Sequence, residues 1–177
     1  MAAPSNRYLG KFRGRVVDNN DPLRIGRITV EVPDVLGSEP STWALPCLPF
    51  TGLRSGQFVV PPRNAGVWVE FEQGDPSFPI WTGCWYGDRE ELPPDAKREL
   101  ERPSELKPVV VQTQLAHKIV MNDTAGPDEG ILLQAKDGAY IRITEGAIEI
   151  AAGKARITLK DGRVIVNEGQ LTVEPKR

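Results

Sequence analysis

The chain has 177 residues, 40% of them hydrophobic and 26% charged, and a formal net charge of −2. Near-neutrality supplies no electrostatic footprint for nucleic acid or an anionic membrane, and no apolar run approaches the roughly 18 residues that cross a bilayer. Two cysteines, Cys47 and Cys84, are too few for a disulfide framework and are expected as buried, reduced thiols, while 17 glycines and 16 prolines indicate a chain rich in strands and turns.

The opening MAAPSNRYLGKF lacks the apolar stretch of a secretory leader, so synthesis in the cytoplasm without a Sec signal is expected. Residues 1–87 then read as one β domain. A strand at 9–17 leads through the polar turn DNNDP into a second at 24–32, where Ile28, Val30 and Val32 share one face and Arg27, Thr29 and Glu31 the other. Pro33 ends it. A third strand at 42–48 is followed by a Pro/Gly-rich excursion and a short extended piece at 57–60. The fourth, at 67–72, turns Val67, Val69 and Phe71 inward, and the turn QGDPSFP leads to the fifth at 80–86. Five strands with no convincing helix between them predict a small barrel, closed or partly open, of the five-stranded OB-fold type.

Residues 88–115 read as a connector. DREELPPDAKRELERPSELKP holds seven acidic against five basic side chains and several prolines, which predicts a solvated spacer with at most two helical turns at 95–101. PVVVQTQ at 108–114 follows as an extended strand.

From residue 116 to 177 the pattern becomes monotonous. Glycines at 130, 138, 146, 153, 162 and 169 separate short segments whose apolar residues alternate: Ile141 and Ile143, Ile148 and Ile150, Ile157 and Leu159, Val164 and Val166, Leu171 and Val173. Pairs such as Asp137-Gly138 and Asp161-Gly162 are turn chemistry. Each strand offers one narrow apolar row, worth about 3 to 6 kcal/mol if two aliphatic side chains are fully buried, against roughly 8 to 16 kcal/mol for fixing the backbone of some eight residues. A lone sheet would also leave that row wet and both edges open. The row therefore needs a second surface, and the economical one is another copy of the chain. The expectation is an obligate homo-oligomeric β-prism whose trimer core is Ile141, Ile143, Ile148, Ile150, Ile157, Leu159, Val164, Val166, Leu171 and Val173.

Three blocks carry a family resemblance: GRVVDNNDPLRIGRITVEVPDV, WALPCLPF at 43–50 and VWVEFEQGDPSFPIWTGCWY at 67–86. They resemble the OB-fold domain of phage baseplate assembly protein V and VgrG-like spike proteins. HKIVMNDTAGPDEGILLQAKDGAYIRI at 117–143 is similar to the start of the triple-stranded β-helix that follows that domain in the same family. The resemblance implies an all-β homotrimer, with an OB-fold collar on a baseplate hub protein and an elongated, intertwined trimeric β-helix needle. Such a protein is a structural, membrane-piercing central spike of a contractile tail or injection system, assembled in the virion or particle baseplate. Three chain ends would form a blunt seat at Leu171, Val173, Glu174 and Pro175 for a separate tip protein of the PAAR-repeat type.

No catalytic or cofactor-binding constellation is legible, and no enzyme activity, cofactor or metal is expected. The single histidine, His117, stands alone between Ala116 and Lys118, whereas family members that hold iron resemble a His-x-His pattern near the tip. The short connector leaves no room for the lysozyme domain that some relatives insert there. Phosphate-cradling glycine motifs are missing. Arg13, Arg15, Arg24 and Arg27 with Trp68 and Trp81 outline a conceivable single-strand binding face. The alternative reading is accordingly a trimeric OB-fold module for oligosaccharide or single-stranded nucleic acid, disfavoured by eight basic against eight acidic residues before residue 88.

Overall fold

The computed structural model describes residues 7–101 and 105–173. The chain forms two compact units, residues 1–91 and 92–177.

The first unit contains β1 (Phe12–Asp18), β2 (Thr29–Glu31), a one-turn helix α1 (Pro33–Leu36), β3 (Leu45–Pro46), β4 (Thr51–Gly52), β5 (Ser55–Gly56), β6 (Gly66–Phe71) and β7 (Pro79–Trp85). Five of the strands make one sheet in the order β2-β1-β6-β7-β3. Its pairs are antiparallel except for β3 with β7. Single bridges from Ile28 to Ala44 and from Glu31 to Pro40 tie the β2 edge to the chain leading into β3. The sheet thus curls round on itself in an OB-like manner. Inside lie Val16, Ile28, Val30, Val32, Ala44, Val67, Val69, Phe71 and Trp81, the alternate residues that a two-residue strand period turns to one side.

Differences from the sequence reading have local causes. The second strand is shorter than 24–32 because the buried Asp21 carboxylate accepts the backbone N–H groups of Leu23, Ile25 and Arg27 and two hydrogen bonds from the Arg27 guanidinium, at 2.6 to 3.2 Å. Residues 21–27 are held as a loop. Pro33 does not merely stop a strand; it opens α1, where its fixed φ suits the first helical position. The short extended piece expected at 57–60 is replaced by the β4–β5 hairpin just before it, turned by Leu53 and Arg54 with Arg54 at φ 58. Cys47 and Cys84 are free and exposed, not buried: Cys47 follows the two-residue β3, and Cys84 lies one residue from the end of β7.

The second unit begins with α2 (Pro94–Glu101) and continues as β8 (Val109–Gln112), β9 (Lys118–Asn122), β10 (Gly130–Gln134), β11 (Tyr140–Ile143), β12 (Ala147–Ala152), β13 (Ala155–Lys160), β14 (Arg163–Val166) and β15 (Leu171–Val173). All eight strands form one antiparallel meander in chain order. Each strand therefore pairs with the next one along the chain. Short turns make this possible. Asp161 and Gly162, at φ 51 and 72, join β13 to β14 with the two positive φ angles of a type I′ turn, whose twist matches that of the flanking strands. At Asp137-Gly138 the connection is longer, and its left-handed residue is Lys136 at φ 53, not the glycine.

The connector is more than a solvated spacer. Asp95, at the start of α2, is 6% exposed and pairs with Lys118 of β9 and, at 2.9 Å, with Arg98 one helical turn on. Asp95 and Arg98 line a cavity of about 30 Å³ together with Val120, Asn122, Leu132 and Arg142. This seats α2 on one face of the meander at β9 and β10.

Candidate assembly surface

Residues directly opposed in an antiparallel sheet stand on the same face. Followed across the eight strands of the second unit, the register produces two unbroken ladders. One runs Val109, Met121, Ile131, Ile143, Ile148, Leu159, Val164, Val173. The other runs Val111, Ile119, Leu133, Ile141, Ile150, Ile157, Val166, Leu171. Every rung is an aliphatic side chain or methionine, and a one-residue slip in any strand would break both ladders at once.

This face is uncovered. Ile119, Met121, Ile131, Leu133, Ile143, Ile148, Ile150, Ile157 and Leu159 are each 37–49% exposed, where the inward residues Val67 and Val69 of the first unit are at 0%. Val109, Val111, Leu171 and Val173 are more open still, and Ile141, Val164 and Val166 are half-buried. A continuous aliphatic face of this extent is far beyond the scattered apolar residues of ordinary surfaces and marks an interaction site. Burying it would be worth on the order of 10 kcal/mol per chain before the costs of association.

The opposite face is built differently. Near α2 it presents Val110, Val120 and Leu132; farther along it turns polar with Arg142, Glu149 and Thr158. Glu149 gathers this region: it accepts a short hydrogen bond from the Tyr140 hydroxyl and an ion pair from Arg156 Nε at 2.9 Å. The small, buried Ala151 lies opposite both Tyr140 and Arg156 in the register and leaves room for them to meet Glu149. The hydrogen bond to Glu149, then burial, then the nearby negative charge push the Tyr140 phenol above its ordinary pKa. Asn122, 3% exposed, ties the β9–β10 loop by accepting from Thr124 N and donating to Asp128 O.

All ten residues expected as an apolar core, Ile141 through Val173, fall on the two ladders. Six further rungs went unnamed: Val109, Val111, Ile119, Met121, Ile131 and Leu133. Their signal was present as the same alternation, in VVV, IVM and ILL. Of the four residues expected to seat a tip protein, Leu171 and Val173 end the ladders, while Glu174 and Pro175 lie outside the described residues. His117 is exposed in the turn between β8 and β9, where its backbone N–H donates to Thr113 Oγ1 at 3.1 Å. Among the described residues no group of three or more His, Cys, Asp and Glu side chains is placed to hold a metal ion, and no helix is long and apolar enough to cross a membrane.

The imagined single-strand binding face does not assemble. Trp81 is buried with its indole N–H donating to Gly26 O at 3.1 Å, and Arg27 is engaged by Asp21 and stacked on Trp43. Only Arg13, Arg15 and Trp68 remain near one another, with Trp85 as an unforeseen fourth member.

Comparison with known families matches both units. Residues 12–86 match the model of the Type VI secretion system/phage-baseplate injector OB domain. Residues 108–172 match that of the phage baseplate V C-terminal trimerisation domain. No curated protein matches the chain at a significant level.

Proposed function

We propose, from the premise that this chain belongs to the phage baseplate V family of baseplate structural proteins, that it is the homotrimeric central spike of a contractile tail or injection machine. The observation that carries the reading is the pair of unbroken aliphatic ladders left open on one face of the meander. Three copies that turn these faces to a common axis bury them against one another, and the polar face with Arg142 and Glu149 becomes the shaft surface. The matched trimerisation domain supports the same number of chains.

In this reading residues 1–87 are the collar that meets a baseplate hub protein, 88–115 the connector and 116–177 the needle. Ile141, Ile143, Ile148, Ile150, Ile157, Leu159, Val164, Val166, Leu171 and Val173 form the axial core. The shaft pierces a target membrane by force and shape: a prism packed on a dry core is stiff and narrow, so no bond-making chemistry is required of it. The distal end, around Leu171 and Val173, seats a separate tip protein. Light scattering on the purified full chain should give the mass of three chains, with elongated particles in negative stain. A monomeric mass would overturn the reading, and failure of a tip protein encoded alongside it to co-elute would remove the seat.

A further inference from the structure

The outer face of the first unit carries a construction that the needle does not use. Trp85 lies flat over Gly66: a Cβ there would come within 2.7 Å of the indole, so only glycine admits the ring. The indole N–H donates to Val67 O at 3.0 Å and fixes its plane. Trp68 stands 6.4 Å away, centroid to centroid. Over these two rings sits Arg13, its guanidinium 5.9 Å from Trp68 and 5.6 Å from Trp85; Arg15 stacks on Trp85 at 5.4 Å. Stacking on two indoles strips water from one side of a guanidinium and holds its planar fork in place, which prepares it for a carboxylate.

The two arginines differ in what they hold. Arg15 pairs with Glu91 at 3.8 Å and donates to Asn64 O. Among the described residues the Arg13 guanidinium has no hydrogen bond or ion pair, although it is the more fully stacked of the two. On the neighbouring strand the carboxylate of Glu31, directly opposite Arg15 in the register, likewise has none among the described residues. Arg13, Arg15, Glu31 and Trp85 line one open groove of about 180 Å³. It therefore offers one unpaired guanidinium and one unpaired carboxylate, on adjacent strands and offset by two residues, a diagonal of about 7 Å.

The geometry points to a docking groove for an extended peptide segment of another protein, one that carries a carboxylate and, two residues along, a cationic side chain. An extended chain advances about 6.6 Å over two residues, which matches that diagonal. The carboxylate meets Arg13 and the cation meets Glu31, as Glu91 already meets Arg15. Oligosaccharide and single-stranded nucleic acid fit less well, because both would stack on indole faces that the arginines already cover.

The groove does not depend on the trimer reading, and one set of samples separates the two. Fluorescent peptides of repeating Glu-Thr-Lys-Thr and of Lys-Thr-Lys-Thr, an oligothymidylate and chitohexaose are titrated into the full chain at low ionic strength, with mass measured by light scattering. The mixed-charge peptide should bind best. Arg13→Ala should weaken it roughly tenfold, the loss of one charge-assisted contact, and Glu31→Gln should also weaken it, both with unchanged melting. No binding of the mixed-charge peptide, binding indifferent to both substitutions, or equal or stronger binding of any other probe overturns the groove. A trimeric mass without peptide binding removes only this proposal; peptide binding by a monomer removes only the spike.

Discussion

Ile150 stands directly opposite Ile157 across β12 and β13, and the two remain 44% and 40% exposed in the single chain. They sit mid-ladder, flanked by Ile141 and Val166 on the next strands. If three such faces meet on an axis, this pair is in the dry interior, where an unpaired carboxylate is expensive. Ile150→Asp with Ile157→Asp should convert the trimer to monomers while near-ultraviolet circular dichroism from the tryptophans, all of which lie in the first unit, stays unchanged. A trimer that survives both changes would place the wrong face inside.

Asp95 tests whether α2 is part of the fold of the second unit. Its carboxylate and the Lys118 ammonium are both largely removed from water. Deleting one partner leaves the other charge shielded and unpaired, a loss of about 3 kcal/mol when the site is well buried. Asp95→Ala should therefore speed hydrogen exchange at the amides of Ile119, Val120 and Met121. Asp95→Leu combined with Lys118→Met should recover most of the protection, since neither charge is then stranded.

Legibility followed how local the determinant was. The ladders could be read because strand period and turn spacing are both written in neighbouring residues: Ile157-x-Leu159 and Val164-x-Val166 flank Asp161-Gly162, and a two-residue turn permits one register. The core of the first unit was legible for the same reason at Val67, Val69 and Phe71. What escaped depended on partners distant in sequence or on one side chain reorganising several residues. Asp21 converts 21–27 from strand to loop through its carboxylate, and the helix at 94–101 gains its place from Lys118, over 20 residues away. Arg13 and Trp68 could be grouped from the sequence, but the completion of their stack by Trp85 required the sheet to bring β1, β6 and β7 together.

The Asp21 loop has a pH signature. The Arg27 guanidinium, helped by the N–H groups of Ile25, Leu23 and Arg27 and opposed by burial, holds the carboxyl well below its ordinary pKa of 3.8. A depressed folded pKa means the unfolded chain takes up the proton first. The stabilisation is complete above 3.8 and is lost as pH falls below it. Asp21→Asn should lower the melting temperature at neutral pH and flatten its fall in acid, with the Trp43 signal reporting the freed Arg27.

Tyr140 should show the opposite sign. Its phenol donates to Glu149, which pushes its pKa above the ordinary 10.0, so its contribution is present below that value and is lost as pH rises through the folded pKa. In an ultraviolet titration one of the three tyrosines should ionise late. Tyr140→Phe should remove that late step and the alkaline loss of stability that accompanies it. Glu149→Gln, which keeps an acceptor but no charge, should bring the titration back toward the ordinary value, and it should also release Arg156. A late step that persisted in Tyr140→Phe would show that the Glu149 network is not what sets it.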